Sequence, residues 1–118
     1  MLLSTSSMEF DNNRPIYLQI ADGICEQILQ GKFKPEERIP SVREWAATIG
    51  VNPNTVARSY ETLSDRNIIY NTRGIGFSVS KDALDAILAE ERRKFTEEEL
   101  PAILKRAELL GINLKEML

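Results

Sequence analysis

The chain has 118 residues, 42% of them hydrophobic, which suits one compact domain with a short appendage and excludes two independent cores. It contains no histidine and a single cysteine, Cys25, so an internal disulfide is excluded, and we expect no catalytic residues, no metal and no cofactor. The net charge is −3, but the central residues 31–81 carry eight basic and five acidic side chains. Such a basic segment can neutralise nucleic-acid phosphates.

Residues 1–13 are rich in serine and asparagine and are predicted to form a flexible N-terminal arm. The arm lacks the basic start and long apolar centre of a secretion signal, and no apolar run elsewhere is long enough to cross a bilayer. We therefore expect a cytoplasmic protein with no membrane partner.

The first predicted helix spans about residues 15–30. Pro15 suits a first helical position, isoleucines recur every four residues from Ile16 to Ile28, and Gly31 supplies a stop. Residues 32–40 then carry two prolines and no helical period, which indicates a connector whose Phe33 and Ile39 insert into the core.

Two short helices are predicted next, separated by residues 50–52. Ser41 and Glu44 have the spacing of a capping box, so a second helix begins at Ser41, and Gly50 ends it. Asn52 followed by Pro53 favours a new start, with a third helix over about 53–66. Its inward residues are predicted to be Val56, Tyr60 and Leu63, while the outward or sideways face consists of Asn54, Thr55, Arg58, Ser59 and Thr62.

Short strands are predicted at residues 68–70 and 77–79. The intervening segment 71–76 contains two glycines, which permit the tight turn of a hairpin with Arg73 at its tip. This hairpin has the form of a wing beside the two short helices.

The C-terminal segment is predicted to form further helices. One begins near Ala83, a second capping-box spacing at Thr96 and Glu99 predicts the start of another, and Asn113 is predicted to cap a final turn. Their apolar stripe has no neighbouring domain to cover it, so a homodimer is expected. The predicted dimerisation residues are Leu84, Ile87, Leu88, Leu100, Ile103, Leu104, Ala107 and Leu110.

The predicted fold is mainly α with a small β-hairpin: a winged helix-turn-helix over residues 14–81, followed by a C-terminal helical dimerisation region over 82–118. A short helix with polar groups at its leading end suits the major groove, where asparagine can pair with adenine, threonine can contact thymine and arginine can bind guanine. The pattern therefore favours double-stranded DNA as a partner.

Four blocks in order strengthen this interpretation: PIYLQIADGI, GKFKPEERIPSVREWA, GVNPNTVARSYETL and RGIGFSVS. Together they resemble the GntR family of bacterial transcription regulators, and the first and third blocks resemble its short YtrA-type subfamily. The resemblance implies a winged helix-turn-helix that dimerises through C-terminal helices, binds inverted-repeat operators and often controls transporter genes. We expect a repressor or an activator, with repression favoured.

Carried over by position, the resemblance implies DNA contacts from three places. Departures from the family pattern are Glu36, where glycine is usual, Ile75, where a basic residue is common, and Ser78, where an aromatic residue is usual. The implied DNA-binding residues are Ser41 and Arg43 in the second helix, Asn52, Asn54, Thr55 and Arg58 in the third, and Arg73 and Gly74 in the wing.

Structural alternatives stay open at these positions. Arg43 could be an exposed helix charge paired with Glu44, Asn52 could serve first as a helix cap, and Arg73 could be a solvated turn residue. Trp45 and Tyr60 are expected in the core rather than as a stacking platform. The alternative function is a winged-helix protein-interaction module without specific DNA binding, and no small-molecule effector site is evident.

Overall fold

A computed structural model of the chain describes residues 10–118. The chain divides into two compact units, the first ending at Ala86 and the second spanning Ile87–Leu118. Most of the predicted flexible arm, residues 1–9, lies outside the described residues. Within the described part of the arm, the backbone N–H of Asp11 donates to Gln19 Oε1 at 2.7 Å.

The fold is mainly helical with one two-stranded antiparallel sheet, as predicted. Residues 95–99 form a π-helical turn between two α-helices. The elements in chain order are α1 (Ile16–Leu29), α2 (Val42–Ile49), α3 (Pro53–Asp65), β1 (Ile69–Thr72), β2 (Gly76–Val79), α4 (Ala83–Lys94), α5 (Leu100–Leu109) and α6 (Leu114–Met117).

The core of the first unit forms where α1 and α2 pack against α3. The four-residue repeat of α1 buries Ile20, Ile24 and Ile28, and α3 buries its predicted inward residues. Burying each large aliphatic side chain contributes about 1.5–3 kcal/mol, so this packing sets the relative placement of the three helices. Ile16, the first residue of the repeat, stays exposed.

The two aromatic residues expected in the core differ in depth. Tyr60 is fully buried, and its hydroxyl donates to the carbonyl oxygen of Pro40 at 2.7 Å. Burial raises the pKa of this hydroxyl, with a smaller contribution from Glu44. Trp45 is half-buried, with its ring edge-to-face against the half-buried Phe33 at a centroid separation of 6.0 Å.

Ser59 is buried, which corrects its predicted place on the outward or sideways face of α3. Its hydroxyl donates to the carbonyl oxygen of Tyr17 at 2.6 Å and to that of Thr55 at 3.2 Å. The reason is that α1 packs across this position, and a small side chain that satisfies its own hydroxyl fits between two helices.

The connector before α2 has more structure than predicted. The N–H of Glu36 donates to the Val79 carbonyl at 2.8 Å, and the N–H of Ile39 donates to the Phe77 carbonyl at 2.9 Å. Arg38 forms an antiparallel bridge with Ser78, so residues 36–39 lie along β2. Ile39 is buried as expected.

The helix start predicted at Thr96 is wrong. The flanking Lys94 and Glu99 both have right-handed helical dihedral angles, and the N–H of Leu100 donates five residues back to the Phe95 carbonyl. A capping serine or threonine needs extended backbone, whereas this chain continues as helix through residues 95–99. The predicted cap at Asn113 is confirmed, since its Oδ1 accepts from the Lys115 N–H at 3.0 Å.

Candidate nucleic-acid interface

The start of α2 is a complete capping box. Ser41 Oγ accepts from the Glu44 N–H at 3.1 Å, and Glu44 Oε1 accepts from the Ser41 N–H at 2.8 Å. The donated backbone hydrogen bond from Ser41 lowers the pKa of Glu44, with the Ser41 hydroxyl a second cause. The Glu44 carboxylate is therefore occupied in capping its own helix.

Arg43 lies in the first turn of α2 with an exposed side chain. It forms no salt bridge with any acidic residue of the described chain, so the proposed pairing with Glu44 is not seen. An unpaired guanidinium beside a helix start is available for an anionic partner.

The turn between α2 and α3 depends on one glycine. Gly50 ends α2 with a φ of 73°, a conformation that costs a residue with a Cβ about 1 kcal/mol or more. Its N–H donates to the Ala46 carbonyl at 2.9 Å, and the chain then leaves α2 in a direction that brings Asn52 to the start of α3.

The leading end of α3 presents polar side chains rather than free backbone donors. Asn52 Oδ1 accepts from the Asn54 N–H at 2.8 Å, while the Asn52 carbonyl accepts from the N–H groups of Thr55 and Val56. Pro53 has no N–H to donate. Contacts with a partner at this end therefore depend on the amide of Asn54, which is exposed, the half-buried Thr55 and the Nδ2 group of Asn52.

Arg58 lies one turn further along α3 and contacts the aromatic ring of Tyr17. Its Cζ lies 4.0 Å from the centroid of the Tyr17 ring, a cation–π contact between α3 and α1. The hydrogen bond from Ser59 to the Tyr17 carbonyl fixes the same junction. Tyr17 was not among the residues predicted to form the interface, although it lies in the PIYLQI block that resembles the family.

The wing is a hairpin with a three-residue tip. Thr72 pairs with Gly76, the N–H of Ile75 donates to the Thr72 carbonyl at 2.9 Å, and Gly74 has a φ of 80° that favours glycine. Arg73 and Ile75 are exposed at this tip. The strands extend further toward the tip than predicted, since β1 continues to Thr72 and β2 starts at Gly76.

Two side-chain contacts also anchor the wing to the rest of the first unit. Phe77 packs edge-to-face on Tyr60 of α3 at a centroid separation of 5.0 Å. The Tyr70 hydroxyl donates to Glu36 Oε2 at 2.6 Å, and this bond is the main cause of a raised pKa for Tyr70. Ser78, one of the departures from the family pattern, is buried and pairs with Tyr70 across the hairpin.

The residues predicted to mediate dimerisation differ in exposure. Ile87 is buried, Ala107 is 9% exposed, and Leu88 and Leu100 are half-buried. The remaining four are exposed: Leu84, Ile103, Leu104 and Leu110.

Other kinds of site are not found in the part of the chain that the structure describes. Within residues 10–118, no group of three or more cysteine, aspartate or glutamate side chains is placed to hold a metal ion. None of the helices in that range is both long enough and apolar enough to cross a membrane.

Comparison with known proteins identifies the same unit. Residues 16–79 match the family described as bacterial regulatory proteins, gntR family. The HTH-type transcriptional regulator YhcF of Bacillus subtilis is 37% identical over 93% of this chain and 89% of its own length. The HTH-type transcriptional repressor YtrA of the same bacterium is 36% identical over 90% of this chain and 81% of its own length.

Solved structures agree with these relatives. A GntR-family transcriptional regulator from Bacteroides thetaiotaomicron superposes with a TM-score of 0.71 at 48% identity, covering 86% of this chain and 88% of that one. The DNA-binding domain of AraR, solved in complex with operator ORX1, has a TM-score of 0.57 at 27% identity and covers 63% of this chain and 98% of that one. The winged helix-turn-helix described above, with its capped α2 and α3, therefore belongs to a transcription regulator of the GntR family, similar to YtrA.

Proposed function

We propose that this chain binds an inverted-repeat DNA operator as a homodimer and represses transcription. The observation that carries the proposal is the polar leading end of α3. There Asn54 is exposed in the first turn of a helix that Asn52 caps. The unpaired Arg43 on α2 supplies positive charge. The AraR domain solved with an operator supports a DNA partner, and the repressor name of YtrA supports the sign of regulation.

Each proposed contact has a chemical role. Asn54 and Thr55 would read base edges in the major groove, because an asparagine amide can pair with adenine and a threonine methyl can contact thymine. Ser41, Arg43, Asn52 and Arg58 would position the helix on the phosphates, with Arg58 preorganised by its contact with the Tyr17 ring. Arg73 and Gly74 would approach the minor groove from the tip of the wing, while Gly74 leaves open space where a Cβ would lie.

The second unit would hold two copies together. Ile103, Leu104 and Leu110 are about half exposed on or just after α5, and a twofold interface would remove this apolar surface from water. A dimer would present two α3 helices to half-sites about one helical turn apart. Because an operator lies on the chromosome, we also propose a cytoplasmic location.

Selection from random duplexes tests the proposal. The wild-type protein should enrich an inverted repeat, and Arg43→Ala and Asn54→Ala should each weaken binding to it by about 1–3 kcal/mol, with Asn54→Ala also relaxing preference at one base pair per half-site. Arg66→Ala, at the far end of α3, serves as the control and should bind like wild type. Failure to enrich any inverted repeat, with equal binding by wild type and Arg43→Ala, would favour a protein-interaction module instead.

A further inference from the structure

Arg38 lies on the segment that runs along β2, outside every position predicted to contact DNA. Its backbone bridges Ser78, and its side chain extends along the sheet toward Gly76. A Cβ placed on Gly76 would lie 3.4 Å from Arg38 Nε and 3.6 Å from Nη2. The guanidinium of Arg38 therefore lies beside Gly76, at the base of the wing.

The charge of Arg38 is only slightly offset within the described chain, where it is the smallest of the causes that lower the pKa of Glu44. Arg38 is exposed and forms no salt bridge among residues 10–118. The neighbouring carboxylates are engaged elsewhere: Glu36 accepts from the Tyr70 hydroxyl, Glu37 from the Lys34 N–H and Glu44 from the Ser41 N–H. A guanidinium in this setting retains its donors for an external anion.

The position of Arg38 links two parts of the interface. Along the chain it lies three residues before Ser41, the N-cap of α2, and across the sheet its guanidinium lies beside Gly76, which follows the wing tip. A DNA duplex contacted by both α2 and the wing has a phosphate backbone that runs between those contacts. We propose that Arg38 binds a backbone phosphate of the operator between the start of α2 and the wing.

This inference rests on the proposed function and adds a phosphate-binding residue to it. A phosphate contact adds affinity without sequence information, and an arginine can donate two hydrogen bonds to phosphate oxygens. Arg38→Gln should therefore lower affinity about fivefold at physiological salt, by a similar factor for the selected operator and for unrelated duplexes. The slope of log affinity against log salt should become shallower by about two, because each protomer of the dimer loses one phosphate contact.

Two variants sharpen the test. Arg38→Lys keeps the charge and should retain most of the salt slope, although it loses the planar fork of donors. Arg66→Gln removes the same charge at the far end of α3, about 20 Å from Asn52, and should bind like wild type. Circular dichroism at the binding temperature confirms that each variant is folded when its affinity is measured.

The outcomes separate the two proposals. Suppose that the affinity of wild type for the selected operator falls steeply with salt, and that Arg38→Gln has the same affinity and slope. The role of Arg38 is then overturned, and the operator-binding function stands. A loss confined to particular flanking sequences would also overturn it, since it would indicate base reading. If wild type shows no salt-dependent DNA binding, both proposals fail.

Discussion

Glu36 is a non-glycine residue in the left-handed backbone region, with a φ of 67°. The family pattern favours glycine here, and a residue with a Cβ in this conformation costs about 1–2 kcal/mol. The hydrogen bond from Tyr70 to Glu36 offsets part of this cost, so the departure from the pattern is compensated locally.

Glu36→Gly and Glu36→Ala separate the backbone effect from the hydrogen bond. Both variants lose the bond to Tyr70, but only glycine relieves the strained φ, so Glu36→Gly should be about 1 kcal/mol more stable than Glu36→Ala. Urea unfolding at one fixed protein concentration measures the difference. Equal stability of the two variants would contradict a left-handed conformation at this residue.

The buried hydroxyl of Ser59 joins α3 to α1. Ser59→Ala removes the hydrogen bond to the Tyr17 carbonyl and should lower the free energy of unfolding by about 1 kcal/mol. Thr62→Ser is the matched control, because Thr62 donates only within its own helix, to the Arg58 carbonyl, and serine keeps that hydroxyl. The two changes are compared by urea unfolding, and a null effect of Ser59→Ala would argue against the buried junction of α1 and α3.

At the scale of elements, the capping box makes the stability of α2 depend on pH. Glu44 has a lowered pKa in the folded chain, so its carboxylate stabilises the fold above its ordinary pKa of 4.5, and this contribution is lost as pH falls through the lowered value. Glu44→Gln keeps the capping geometry without the charge. The stability difference between wild type and Glu44→Gln should be present at pH 7 and shrink at acidic pH.

Thermal or urea unfolding of the free protein at pH 7 and at pH 3 checks this expectation. Glu61→Gln, on the exposed face of α3, controls for the loss of one carboxylate. A difference between wild type and Glu44→Gln that stays constant over this range would show that the charge of Glu44 does not contribute to the cap.

The helix that continues through residues 95–99 shows that one local pattern can outweigh another. Arg93 donates to the carboxylates of Glu90, Glu97 and Glu98, at distances of 2.9–3.3 Å, so one side chain ties successive turns together. The hydrogen bond to Glu90 is the largest of the effects that raise the pKa of Arg93. The helix start predicted from the spacing of Thr96 and Glu99 took no account of these ion pairs.

At the scale of the whole molecule, the proposed dimer predicts a mass near twice 13.4 kDa in solution. Leu104 is 49% exposed, so burying the exposed part of this side chain in both copies would contribute about 2 kcal/mol to dimerisation. Leu104→Gln should therefore weaken dimerisation about thirtyfold, as measured by sedimentation equilibrium. Lys105→Gln is the control on the same helix, and a monomeric wild type at micromolar concentration would contradict the proposal.

Features that depend on neighbours a few residues away could be predicted before the fold was known. The caps at Ser41 and Asn52, the glycine stop at Gly50 and the apolar residues buried by α3 all follow from spacings of four residues or fewer, where backbone geometry decides which groups meet. These features place the helix-turn-helix and its polar leading end.

Contacts between distant segments became visible only in the folded chain. Ser59 meets the Tyr17 carbonyl 42 residues away, and Tyr70 meets Glu36 34 residues away. Arg38 reaches the wing because its backbone pairs with Ser78. Local propensities do not predict these pairs. They form because the apolar faces of the helices and hairpin are buried together, and that packing brings particular polar side chains beside the wing.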